Sequence, residues 1–398
     1  GPEPQEKVLS KHRTALRGAM VPQPTKVDSP ERSPPWSRAT VSASLPTRFE
    51  VMEHVRALGR ELVAVMPIHY PRAVLRAHRL HPIEVWGPPH VARHEGNRHF
   101  QAYACDIVVK AMAFIRSGGI AATRAILVPH TCDALQGMGS VLSDFLRPEQ
   151  RVLTLYLPRG RRTSDRDFLR DELQRLCDSL VEVGGHEPSA ADWAEAFEAE
   201  DAADAALAQL YQRRKLLAVS DRDFYTVVRS REYLTAEQFC EQAAKLPNGD
   251  TPQSGVGLLL SGIVAEPLEL FDQIDEMGAH VAGDDLAGGF RRVYAPSKGN
   301  DPLVRAAAQL MSCPPDPTCG TPIHERIEAL QTRMRTLGAK GLLVYDPKFC
   351  EPELFDVPLL RKHLSEAGFP LLHVEYEMGD ALPHQTLSRI EAFVETLS

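Results

Sequence analysis

The chain has 398 residues, more than one hydrophobic core usually serves, so two or three domains are expected. Its 43% hydrophobic and 25% charged content is that of a globular protein. A formal net charge of −8 speaks against a general nucleic-acid binder. No apolar run reaches the roughly 18 residues of a membrane helix. The polar Gly-Pro start carries no signal core, so the cytoplasm is the default location.

Residues 1–46 mix eight prolines with charges, Ser and Thr, which predicts an extended or disordered arm. A first α/β domain is predicted over 47–164. A helix over Phe49–Leu58 leads into a strand from Glu61 that stops at Pro67. A helix over Tyr70–His78 and a strand at Ile83–Trp86 follow, and then a loose patch of His90, His94 and His99, either exposed or zinc-binding. Cys105 starts an apolar helix over Asp106–Arg116, where the helix dipole favours a thiolate. The run Ala125-Ile-Leu-Val-Pro-His-Thr-Cys-Asp133 reads as a buried strand delivering His130, Cys132 and Asp133 to a site. A helix to Leu146 and a strand over Arg151–Leu157 complete this unit.

Residues 165–248 change to Ala-, Glu-, Leu- and Arg-rich helical patterns. Residues 249–398 then repeat the α/β alternation. Strands are predicted at Val256–Gly262, at His280–Asp285 ending in two carboxylates, at Gly341–Tyr345 and at Pro370–Glu375. Helices are predicted between them, one of them starting at Pro358. The expected fold class is two doubly wound parallel-sheet, flavodoxin-like domains with a helical segment between them.

Seven cysteines in a long chain with no CxxC argue against a disulfide framework or a zinc finger. Cys177 and Cys240 fall in helical patterns and read as buried hydrophobes. Cys132 and Cys350 end matching strands in the two α/β units, and Cys105 begins a helix. These three are either ligands of one iron–sulfur cluster or separate buried thiols. Among their neighbours, His130 either handles a substrate proton or stabilises its turn. Lys348 either meets a phosphate or the cluster, or lies on the surface. Asp284 and Asp285 either face a cleft or form a solvated loop.

Six stretches carry a family likeness: Leu75-Arg-Ala-His-Arg-Leu-His-Pro-Ile-Glu-Val-Trp-Gly87, Cys105-Asp106, Val128-Pro-His-Thr-Cys-Asp133, Gly283-Asp-Asp285, Lys348-Phe-Cys-Glu-Pro-Glu-Leu-Phe-Asp-Val-Pro358 and Gly368-Phe-Pro-Leu-Leu-His-Val-Glu375. Over roughly residues 50–395 the chain resembles the 2-hydroxyacyl-CoA dehydratase and benzoyl-CoA reductase D-component family. That resemblance implies a [4Fe–4S] cluster held by Cys105, Cys132 and Cys350, with one iron open. It also implies a homologous second subunit or a homodimer, a CoA-thioester substrate, and an ATP-dependent iron–sulfur activator that injects one low-potential electron. The electron makes a ketyl radical anion, from which dehydratases eliminate the 2-hydroxyl; the benzoyl-CoA branch reduces an aromatic ring instead. The chain departs from many relatives at Asp106, where a small hydroxyl residue is usual, and at Gln136-Gly137, where a basic one is. The acyl group is therefore left open. Some relatives hold a double-cubane cluster, which Cys313 and Cys319 would serve as extra ligands; their Pro-rich surroundings read otherwise as an ordinary loop.

Overall fold

The computed structural model describes residues 45–88, 91–249, 253–378 and 381–398. The N-terminal arm, but for its last two residues, and His90 lie outside them. The described residues fall in one compact unit. Two four-stranded sheets, each parallel throughout, form its frame. The first holds β1 (Glu61–Val65), β2 (Leu80–Glu84), β3 (Ala125–His130) and β4 (Arg151–Tyr156), in the order β2-β1-β3-β4. The second holds β5 (Val256–Gly262), β6 (Ala279–Leu286), β7 (Gly341–Pro347) and β8 (Leu371–Tyr376), in the order β6-β5-β7-β8. The two orders are the same topology used twice. In each, the strand order reverses at the central pair, β1/β3 and β5/β7, which opens a crevice at the C-terminal strand ends.

The central strands are continuous apolar runs because helices cover both faces. β2 begins three residues before the predicted strand. Arg79 takes a left-handed conformation (φ 59°) that ends the preceding helix and launches the strand at Leu80. Pro82, which has no N–H, is tolerated because β2 is an edge. The segment after β4 is helical over Thr163–Glu182, Ala190–Gln212 and Ala236–Lys245. A further helix, Asp221–Ser230, lies where sequence reading left a gap; Ser220 caps it by accepting the Asp223 amide at 3.0 Å.

One apolar core joins these parts. Ile126 and Leu62 of the first sheet, Phe224 and Phe239 of the helices, and Leu258 and Leu343 of the second sheet are all buried in it. A buried ion pair crosses it: Arg292, which follows β6, donates both terminal nitrogens to Glu84 at the end of β2, each at 2.8 Å. Arg72, the Tyr70 hydroxyl and the Trp86 indole complete the carboxylate's shell at 2.7, 2.8 and 2.9 Å. No helix among the described residues is long and apolar enough to cross a membrane.

Candidate functional site

Three cysteines stand at three helix starts. Cys105 is the N-cap of the helix Asp106–Arg116, Cys132 of Asp133–Ser140 and Cys350 of Glu351–Glu366. The last helix begins seven residues before the sequence-based start at Pro358. Pro352 sits in its first turn, where a missing N–H costs nothing, and Glu351 and Glu353 add acidic first-turn charge. Pro358 lies inside the helix. Cys132 follows β3 and Cys350 follows β7, the two central strands, so both occupy the crevices where the strand order reverses.

All three cysteines line one cavity of about 540 Å³. The Cys105 thiol is lowered by the Cys350 S–H and, against burial, by the amides of Ile107 and Val108 at its own helix start. Cys350 is raised, because it keeps the proton it shares with Cys105 and is buried. Burial pushes Cys132 up to about 12, against the Leu135 and Ala134 amides. Three soft thiol donors at three helix N-termini on one cavity are an arrangement that can hold an anionic thiolate-ligated centre.

The loops are held together by backbone and charge. The Asp106 amide donates to the Lys348 carbonyl at 3.1 Å, and the Lys348 amide to the Tyr376 carbonyl at 2.8 Å. The buried Asp106 carboxylate accepts from the Met378 amide and pairs with Arg93. Arg93 pairs with Glu377 at 2.6 Å, and Glu377 with Lys348 at 2.8 Å. Asp106 thus ties the Cys105 loop to the Cys350 loop. Burial raises its carboxyl, opposed by the Met378 amide and Arg93. Phe349, immediately before Cys350, has φ 61°, a conformation unfavourable for a bulky residue at the point where the chain turns into the Cys350 helix.

His130 sits on β3 directly opposite Tyr156 of β4, with its ring edge-on to the tyrosine at 4.3 Å and packed over Gly139. It does not line the cavity, and neither ring nitrogen has a hydrogen-bond partner among the described residues. Burial lowers its pKa. Thr131 and Cys132 lie past the end of β3, in the turn that leads into the next helix, and line the cavity, whereas His130 is still held in the strand against Tyr156. Asp285 is buried at the end of β6 and does not line the cavity either. It accepts from Arg291 at 2.9 and 3.2 Å, from the Ser261 hydroxyl at 2.9 Å and from Arg326 at 3.3 Å. Both arginines also grip Glu353, at 2.6 and 2.5 Å, on the helix that Cys350 caps. Its neighbour Asp284 receives the Tyr225 hydroxyl at 2.8 Å. The Lys348 side chain is 44% exposed, so its pair with Glu377 is solvated.

Sequence reading missed several residues of the cavity wall: Arg159, Tyr103, Phe355 and, as a wall residue, His99. Arg159 pairs with Asp133 at 3.5 Å at the mouth. Tyr103, Phe349 and Phe355 are large, exposed and on the wall. No local pattern marks such positions, because only the fold gathers them. Cys313 and Cys319 are not a featureless loop. They stand together with His69, one ligand atom from each within 4.8 Å of the others. This group lines a separate, smaller cavity.

A profile of the family described as "2-hydroxyglutaryl-CoA dehydratase, D-component" matches residues 67–397. The chain is 24% identical over 366 residues to the (R)-phenyllactyl-CoA dehydratase beta subunit of Clostridium sporogenes, covering 87% of this chain and 94% of that one. It is 23% identical over 373 residues to the beta subunit of the (R)-2-hydroxyglutaryl-CoA dehydratase of Acidaminococcus fermentans, covering 90% and 97%. It is 21% identical over 343 residues to one of the subunits of the benzoyl-CoA reductase of Thauera aromatica, covering 80% and 86%.

Proposed function

Because this chain belongs to the 2-hydroxyglutaryl-CoA dehydratase D-component family, we propose that it is the [4Fe–4S]-binding subunit of a cytoplasmic 2-hydroxyacyl-CoA dehydratase-type lyase. It works with a homologous second subunit or a second copy of itself, and takes one low-potential electron from an ATP-dependent iron–sulfur activator. The observation that carries this reading is the meeting of Cys105, Cys132 and Cys350, each at a helix N-terminus, on one cavity. The donor set fits the cluster: three soft thiol ligands, with helix-end amides to offset the negative charge. When bound, the cluster supplies the electron that turns a thioester carbonyl into a ketyl and lets the 2-hydroxyl leave.

The protein's share is placement and dryness. Asp106, Arg93 and Glu377 hold the Cys105 loop against the Cys350 loop. Asp285 acts through Arg291, Arg326 and Glu353 to seat the Cys350 helix. Lys348 is solvated and close enough in sequence to Cys350 to meet a CoA phosphate once it leaves Glu377. Tyr103, Phe349 and Phe355 give the mouth an apolar rim for an acyl group and for a covering subunit. His130 handles a substrate proton only if its ring swings toward the site.

Anaerobic reconstitution of the chain followed by iron and sulfide analysis and EPR tests this. About four irons per chain are expected, with loss on Cys132→Ala or Cys350→Ala. Iron-free protein, or an iron content unchanged by either substitution, overturns it. Similarity to a benzoyl-CoA reductase subunit favours a second reading, a ring-reducing complex. Turnover of 2-hydroxyacyl-CoA against benzoyl-CoA by the assembled complex separates the two.

A further inference from the structure

We propose a second, mononuclear metal site made by His69, Cys313 and Cys319, which takes a zinc-class divalent ion. One ligand atom from each lies within 4.8 Å of the other two. Tetrahedral zinc with bonds of about 2.0–2.3 Å sets its ligand atoms about 3.6 Å apart, about 1 Å closer than the outer limit of the present spacing. His69 is 1% exposed and Cys313 7%. The three line a cavity of about 160 Å³ that Arg159, Arg161 and Glu325 also face, which leaves room for a fourth ligand, water or a carboxylate.

The surroundings are those of a built ligand set. Asp316, fully buried, meets His69 Nε2 at 3.1 Å. A carboxylate on one ring nitrogen fixes the tautomer and orients the other toward a metal, the common support of a histidine ligand. The other ring nitrogen, Nδ1, lies 2.8 Å from the Tyr294 hydroxyl. Asp316 also accepts the Thr318 amide at 2.8 Å and the Thr318 hydroxyl at 2.7 Å, which builds the tight turn Pro317–Cys319 that presents Cys319. Gly320 then reverses the chain at φ 70°. Arg161 donates to the Cys313 carbonyl at 3.1 Å and pins the other cysteine. Two thiolates and a neutral imidazole around a divalent ion sum to no net charge, which suits so buried a place. Thiolate and imidazole donors select zinc over magnesium or calcium.

The site joins distant parts of the chain, since His69 follows β1 and the cysteines lie between β6 and β7. It also stands behind the wall of the larger cavity. Pro317 and Thr318 line that cavity, Cys319 on the same turn belongs to the smaller one, and Arg159 and Thr321 face both. The metal therefore staples the loop that walls the three-cysteine site, and this does not depend on what that site carries.

The test is cobalt titration of the full-length chain after chelator treatment. With the three-cysteine site broken by Cys132→Ala, the expected result is a thiolate-to-cobalt charge-transfer band with tetrahedral d–d bands, saturating at about one equivalent and displaced by zinc. The signal is retained in Cys350→Ala, and lost when Cys313→Ser, Cys319→Ser or His69→Gln is added to Cys132→Ala. Should a cysteine variant fail to fold, the titration of Cys132→Ala still decides, because that protein keeps only the second site intact. The proposal is overturned by absence of the bands, by bands that vanish in Cys132→Ala instead, or by a Cys313–Cys319 disulfide in anaerobically prepared protein.

Discussion

Replacing Glu84 by Gln removes the charge at the centre of the ion pair that crosses the core. The Glu84 carboxylate is fully buried and takes five donors, two of them from Arg292, which lies 208 positions away in sequence. At about 4 Å and an effective dielectric near 20, each guanidinium attracts it by about 4 kcal/mol, much of it cancelled by desolvation. The substitution keeps the shape but leaves Arg292 and Arg72 without a counter-charge, and stranding a buried charge costs about 3–5 kcal/mol. With a urea slope of about 3 kcal/mol per molar, the unfolding midpoint should fall by about 1–1.7 M. Burial pushes this carboxyl up, but Arg292 and Arg72 outweigh it and hold it at about 2. A depressed carboxylate stabilises above its unfolded pKa of about 4.3, and this contribution is lost as pH falls from there through about 2. The wild type should therefore lose its advantage over Glu84→Gln only in that acid window. A midpoint within about 0.3 M of wild type at neutral pH, with unchanged slope, would refute the reasoning. So would full additivity with Arg292→Met in a double-mutant cycle.

Two further outcomes are expected. Asp106→Asn keeps an acceptor for the Met378 amide but loses the Arg93 charge pair, so it should loosen the Cys105 loop. Reconstituted protein should then release iron to a chelator several-fold faster, with a stability loss of about 1–3 kcal/mol; unchanged release would show that the clasp does not hold the site. Asp346, at the end of β7, is pushed up to about 7 by burial, opposed by His373 at 3.2 Å. A carboxyl raised in the folded state binds its proton more tightly there than when unfolded. Stability should therefore fall as pH rises from about 4 to about 7, by at most about 4 kcal/mol at 1.36 kcal/mol per pH unit. Asp346→Asn should flatten that slope in urea titrations across pH, and a slope that persists would assign it to another group.

Much of the fold was legible locally. Continuous apolar runs at β3, β5 and β7 announce buried parallel strands, and their ending in Cys132 or in Pro347 and Cys350 marks the positions that reach a crevice. The misses have local causes too. Pro358 looks like a helix start, but the stronger start signal is Pro352 between Glu351 and Glu353. The helix Asp221–Ser230 carries a Ser cap and an acidic first turn, both visible in the sequence.

Partner choice was not legible. Asp285 looked able to face a cleft, and His130 looked aimed at the site. Their surroundings are set by Arg291, Arg326, Tyr156 and Gly139, which the strand register and the packing of separate helices bring to them. The same holds for His69 with Cys313 and Cys319, which no spacing rule connects. Residue types and periodicity determined the strands, the helices and the three cysteines at their ends. Only the tertiary structure decided that Cys105 meets Cys350 and that Asp106 ties their loops. Those contacts join residues far apart in sequence, and local pattern carries no information about which distant chain ends packing will bring together.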